Sequence, residues 1–80
     1  MAIGKSDKTI AKMRNNPRDW RIEQLKTVAD AYDVAYRQPG TSHVTFRHLN
    51  GAKLTVPAHR PIQPEYIKKF VRLITQGIGD

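Results

Sequence analysis

The sequence predicts a small α+β domain, a three-stranded antiparallel sheet with two helices on one face, in the order α-β-β-β-α. Three observations predict it. Apolar residues recur at helical spacing in two stretches, residues 22–32 and 67–74. Between those stretches lie three short segments that alternate apolar and polar residues. Breakers and turn formers, Pro39-Gly40 and Asn50-Gly51, separate the segments.

Residues 1–15 are polar and basic. They read either as a basic N-terminal arm or as a short extra helix, capped by Ser6, that turns Ile10 and Met13 inward. Residues 16–80 form the single expected domain. Pro17 biases Asn16 away from the helical region, and Pro17 and Asp19 suit the start of a helix. Ile22, Leu25, Val28, Ala29 and Tyr32 then share one helix face, with Glu23, Lys26, Thr27 and Asp30 opposite. Trp20 is expected to fold back on the core as a staple, and the helix to end near Asp33.

Residues 34–38 switch to alternation, with Val34 and Tyr36 on one side and Ala35 and Arg37 on the other. Pro39-Gly40 ends that strand. Residues 43–48 alternate again: Val44, Phe46 and His48 against His43, Thr45 and Arg47. Asn50-Gly51 is a strong hairpin signal, and residues 53–56 return with Leu54 and Val56 inward and Lys53 and Thr55 outward. Pro57 stops this strand. Pro64 opens the last helix, whose inward stripe is Ile67, Phe70, Val71 and Ile74, and Gly77 fits its exit.

The apolar sheet face must be covered by both helices, which leaves the other face open. Arg37, His43, Thr45, Arg47, Lys53 and Thr55 occupy that open face. Over the whole chain, 14 Lys and Arg outnumber seven Asp and Glu, for a net charge of +7 and a pI near 10.2. Such a balance is the electrostatic footprint of a nucleic-acid binder, and the open face is where phosphates would lie. A solvated sheet face and an acidic protein partner are the plain alternatives. The α-β-β-β-α order is also that of the double-stranded RNA-binding domain.

A chain of 80 residues buries only about 60% of the surface it exposes unfolded, so any site must be shallow. The chain has no cysteine, which excludes disulfides, thiolate zinc sites and a cysteine nucleophile. No apolar run approaches the roughly 18 residues of a membrane span, and residues 1–12 lack the apolar stretch of a secretory signal. A cytoplasmic protein without membrane attachment is expected. No phosphate-cradling loop, zinc-protease motif, serine-hydrolase elbow or nicotinamide fingerprint occurs. No acidic pair stands at metal-ligand spacing, so no metal and no small-molecule cofactor are expected.

Three histidines remain, His43, His48 and His59. Cleavage of RNA needs little machinery, because the 2′-OH is a nucleophile already held beside its phosphate. An imidazole moves the proton, and neighbouring cations stabilise charge on the phosphoryl oxygens. His43 is the best placed, at the start of a strand, pointing to the open face beside Thr45 and Arg47; the alternative is an ordinary exposed histidine. His48 alternates with Phe46 toward the core side, which favours a structural role. His59, in a loop bounded by Pro57 and Pro61, is the second candidate.

The stretch Arg37-Gln38-Pro39-Gly40-Thr41-Ser42-His43-Val44-Thr45-Phe46-Arg47-His48, then Leu54-Thr55-Val56-Pro57-Ala58-His59 and Ile62-Gln63-Pro64, resembles the HicA toxins. In that family a Gly-Ser-His turn enters a His-x-x-Phe strand, followed by a strand ending Thr-Val-Pro and a helix. Asn16-Pro17-Arg18-Asp19-Trp20-Arg21-Ile22-Glu23 also looks like the longer members. The resemblance covers residues 16–75. It implies a double-stranded RNA-binding-domain fold and a type II toxin that cleaves messenger RNA without a metal. It also implies a HicB-type antitoxin protein as partner, covering the basic face, and a catalytic histidine at His43. His59 matches a position where the family often has histidine. Two departures are visible. Thr41 stands where the family has glycine directly before Ser-His, and a β-branched residue disfavours positive φ. Asp33 stands where many members have glycine at the helix exit.

The leading expectation is therefore a ribonuclease with His43 as its acid–base residue. Arg37, Arg47 and Lys53 would hold phosphate, Thr45 and His59 would contact RNA, and Ser42 would orient the turn or donate a hydrogen bond. A non-catalytic double-stranded RNA-binding module is the runner-up. It calls for a basic helix N-terminus, and the last helix opens instead with Gln63-Pro64-Glu65-Tyr66. A pure protein-interaction module would bind no RNA at physiological salt.

Overall fold

Whether the first fifteen residues join the fold depends on Ile10 and Met13, and both are buried, at 5% and 0% exposure. The computed structural model describes residues 5–40, 42–58 and 60–79. Lys5–Asn15 form helix α1. It packs against the two later helices, α2 (Ile22–Ala31) and above all α3 (Pro64–Gln76). Over residues 5–15 the short-helix alternative is therefore the one observed, while residues 1–4 lie outside the described residues. Ser6 lies inside α1 rather than at its cap. Asp7 in the first turn and Lys12 and Arg14 in the last complement the helix dipole.

The link from α1 to α2 differs from expectation. Asp19 is left-handed (φ 64°), so it cannot open a helix, and α2 begins only at Ile22. Trp20 packs back against the core as expected, but from extended backbone paired with Ile62, whose N–H donates to the Trp20 carbonyl at 2.8 Å. The Trp20 indole N–H donates to the Asn16 carbonyl at 2.7 Å. The start of α2 is closed by Gln24, whose Oε1 accepts the Arg21 N–H at 2.9 Å, half of a capping box.

The exit of α2 is a Schellman motif with Asp33 as its left-handed residue (φ 58°). The Val34 N–H donates to the Ala29 carbonyl at 2.9 Å and the Asp33 N–H to the Asp30 carbonyl at 3.4 Å. Val34 is buried beside Ala29, the apolar contact that accompanies this motif.

Strands β1 (Ala35–Arg37), β2 (His43–Arg47) and β3 (Lys53–Pro57) form one antiparallel sheet in the order β1-β2-β3. The connection of β2 to β3 is Leu49-Asn50-Gly51, closed by the His48 N–H to the Ala52 carbonyl at 2.8 Å. Gly51 takes φ 95°, which glycine adopts without a Cβ penalty. The His48 Nδ1 accepts the Asn50 N–H at 3.1 Å, so this histidine braces the turn.

Val44, Phe46, Leu54 and Val56 turn inward and are buried. Phe46 meets Phe70 edge-on, with ring centroids 5.0 Å apart. Leu73 is fully buried as well, which widens the α3 stripe beyond the expected four residues. The wider stripe follows from packing: α3 has β3 on one side and α1 on another. Gly77 ends α3 in the left-handed conformation (φ 65°), with its N–H on the Leu73 carbonyl at 3.0 Å. Its carbonyl accepts the Asn50 Nδ2–H at 2.9 Å, tying the hairpin turn to the helix exit.

Candidate nucleic-acid interface

The described interior holds no polar or charged side chain, so any chemistry must take place on the surface. The register sets the open sheet face in three ranks. Ala35, Arg47 and Lys53 are directly opposite one another, then Arg37, Thr45 and Thr55, then His43 and Pro57. Arg37, Arg47 and Lys53 are exposed, and they line a groove of about 440 Å³ with Ala35, Tyr36, Pro39 and Thr45. The hydroxyl of the lining residue Thr45 is hydrogen-bonded to that of Thr55, beside it on β3, at 3.1 Å.

Among the described residues no carboxylate pairs with Arg37, Arg47 or Lys53. The Arg60–Glu23 ion pair, at 2.9 Å between exposed side chains, lies between a loop and α2. Arg47 and Lys53 stand directly opposite each other, an arrangement that costs stability for like charges. Among the described residues the groove therefore gathers three cations with no carboxylate paired to them.

His43 is exposed and opens β2, one rank past Thr45, which is about 6.6 Å along the strand. It does not line the groove but lies at its end. Ser42 is exposed, and its carbonyl accepts the Ala58 N–H at 2.8 Å. That bond carries the ladder one step past the sheet and brings the loop before β2 beside the loop after β3. His43 sits where these two loops meet. His59 and Thr41 lie outside the described residues.

Two contacts that sequence periodicity does not show fix this end of the sheet. Lys26 is half-buried rather than free on the outer face of α2; its Nζ donates to Gln38 Oε1 at 2.7 Å and stands 5.8 Å from the Tyr36 ring centroid. The Tyr36 hydroxyl donates to Asp30 at 3.3 Å. Desolvation, with the bond to Asp30 and its charge, raises the Tyr36 pKa above the usual phenol value. The end of β1 is therefore anchored to α2 just before the turn that leads to His43. The partners are twelve and six residues apart and lie on different elements, so neither helix nor strand spacing reveals them.

No three His, Cys, Asp or Glu side chains among the described residues converge as a metal-holding group. No described helix is long and apolar enough to cross a membrane. Compared with known proteins, the chain matches no family model, no curated protein and no solved structure.

Proposed function

We propose that this protein is a metal-independent endoribonuclease that cleaves messenger RNA, the toxin of a type II toxin–antitoxin pair. It would share the HicA architecture, a variant of the double-stranded RNA-binding domain, and be held inactive by a HicB-type antitoxin over its basic face. One observation carries the reading: an open sheet face with three cations, Arg37, Arg47 and Lys53, that pair with no carboxylate among the described residues, and a histidine at its end. The motif likeness around Ser42-His43 supports it. In the proposed reaction the cations hold the phosphate chain, and His43 acts at the scissile linkage. The 2′-oxygen bonds to phosphorus and the 5′-oxygen leaves; His43 takes the proton of the first or supplies that of the second, and solvent water exchanges the other. Arg37, the groove cation nearest His43 by rank, stabilises charge on the phosphoryl oxygens.

A second reading, RNA binding without cleavage, is favoured by one fact: His43 is absent from the groove lining. Incubating the protein and its His43→Ala variant with messenger RNA in EDTA separates the two. The ribonuclease reading expects cleavage by the parent, reduced about 100- to 10,000-fold in the variant, at equal melting temperature. Cleavage by neither, with RNA bound by both, establishes the binding module instead.

A further inference from the structure

A second basic groove lies on the helical side of the molecule, away from the open sheet face. It runs between α1 and α3, has a volume of about 410 Å³, and is lined by Arg14, Lys68, Val71, Arg72, Thr75 and Gln76. No acidic residue lines it, and among the described residues no carboxylate pairs with Arg14, Lys68 or Arg72. Lys68 and Arg72 are four apart on α3, neighbours on one helix face whose repulsion costs a few tenths of a kcal/mol. Arg14 brings a third positive charge to them from α1, where Met13 fixes the helix by its burial.

We infer that this groove is a second binding site for the phosphate backbone of RNA, independent of sequence. The chemistry of its lining selects that occupant. Phosphate oxygens are met by guanidinium, ammonium and amide donors, and Arg14, Arg72, Lys68 and Gln76 supply all three, while the Thr75 hydroxyl donates to the Val71 carbonyl at 2.8 Å. No aromatic side chain is present for a base to stack on, so the groove reads no base. A protein partner would need an apolar anchor at the centre of its contact. Val71 is the groove's one aliphatic side chain, and it is 6% exposed. With cations on both the sheet face and the helical face, one RNA strand is held at two places. The inference rests on the reading of the chain as an RNA binder, not on cleavage by His43.

The test is a salt titration of binding to fluorescein-labelled 2′-O-methyl poly(U), a strand whose blocked 2′-oxygen cannot attack its own phosphate. Three triple variants are compared with the parent: Arg14→Gln/Lys68→Gln/Arg72→Gln in the helical groove, Arg37→Gln/Arg47→Gln/Lys53→Gln on the sheet, and Lys8→Gln/Lys12→Gln/Arg18→Gln as an equal loss of charge outside both grooves. Losing three phosphate contacts flattens the logarithmic salt slope by about 2 and weakens binding about 100-fold near 0.1 M salt. The groove variant is expected to show that loss and the control variant a small fraction of it. An unchanged groove variant overturns the inference, and if the sheet variant alone is weakened the sheet reading stands without it. A groove variant that loses binding while the sheet variant keeps it upholds the inference and removes the sheet from the proposed function. Equal losses in groove and control variants overturn it, because the effect is then diffuse charge. Loss of poly-glutamate binding in the groove variant with poly(U) binding intact also overturns it and assigns the groove to an acidic protein.

Discussion

Truncating Met13 to alanine tests whether α1 is part of the fold. Its side chain is fully buried among the helices, where no water reaches it. Removing a buried methionine side chain costs about 2–5 kcal/mol in lost transfer energy and cavity. A domain of this size is stable by about 4–12 kcal/mol in total, so the loss is a large share. Near 3 kcal/mol the melting temperature should fall by roughly 12–24 °C. The assay is thermal melting by circular dichroism, with urea titration for the free energy. Ile10→Ala, one turn earlier at 5% exposure, should lower stability in the same direction. If both variants melt within a degree or two of the parent, α1 is a loosely held arm and the α1–α3 groove is not a fixed feature. A short polar segment with two apolar residues barely signals a helix on its own; burial by α3 is what makes it one.

Other substitutions test other parts of the structure. Asp33→Ala should destabilise by about 1–2 kcal/mol, because alanine is poorly suited to the left-handed residue of the α2 exit, whereas Asp33→Gly should leave urea stability equal or slightly higher. The Tyr32 hydroxyl donates to Asp7, and that bond, with desolvation and the Asp7 charge, raises its pKa to about 12. The folded phenol therefore keeps its proton where the unfolded one loses it. Its contribution is fully present below pH 10 and is lost as pH rises from 10 toward 12. Tyr32→Phe should accordingly reduce the alkaline fall in urea midpoint over that window, and an identical fall would refute the linkage. Arg47→Thr removes one of two opposed cations and places a β-branched residue in the central strand. It should stabilise the fold by about 0.2–1 kcal/mol while weakening RNA binding, and a loss of stability would refute the repulsion argument.

What was legible in the sequence follows from the range of the interactions involved. Strand faces follow from alternation, a local property, so Val44, Phe46, Leu54 and Val56 fall inward as expected and the cations fall outward together. Pro64 and Gly77 mark the ends of α3 for equally local reasons. Asp19 was misleading because the preference that suits a helix start also suits a left-handed turn, and the pairing of Trp20 with Ile62, more than forty residues away, decides between them. The burial of Leu73 depends on α1, and the Lys26–Gln38 bond on the docking of α2 beside β1. Neither leaves a trace in spacing. Of the candidate site, the open-face set of Arg37, Thr45, Arg47 and Lys53 was legible and is brought together in one groove, while the offset of His43 from it depends on register and turn shape.

The distribution of acidic residues bears on the function as much as that of the basic ones. Asp7, Asp30 and Glu23 are occupied by Tyr32, Tyr36 and Arg60 respectively, and Asp19, Asp33 and Glu65 stand at helix ends or links. Among the described residues no strand carries a carboxylate, and none lines the groove between α1 and α3. A protein kept in solution by charge alone has no need to separate its signs, since interspersed charges serve solubility equally well and repel less. Here repulsion is retained at Arg47 with Lys53 and at Lys68 with Arg72 while the described carboxylates lie elsewhere. Such cations cost stability in the free protein, a cost that a polyanion would offset on the proposed RNA-binding reading. This is why the two grooves, and not the total charge, are the places where substitutions should change the salt dependence of RNA binding.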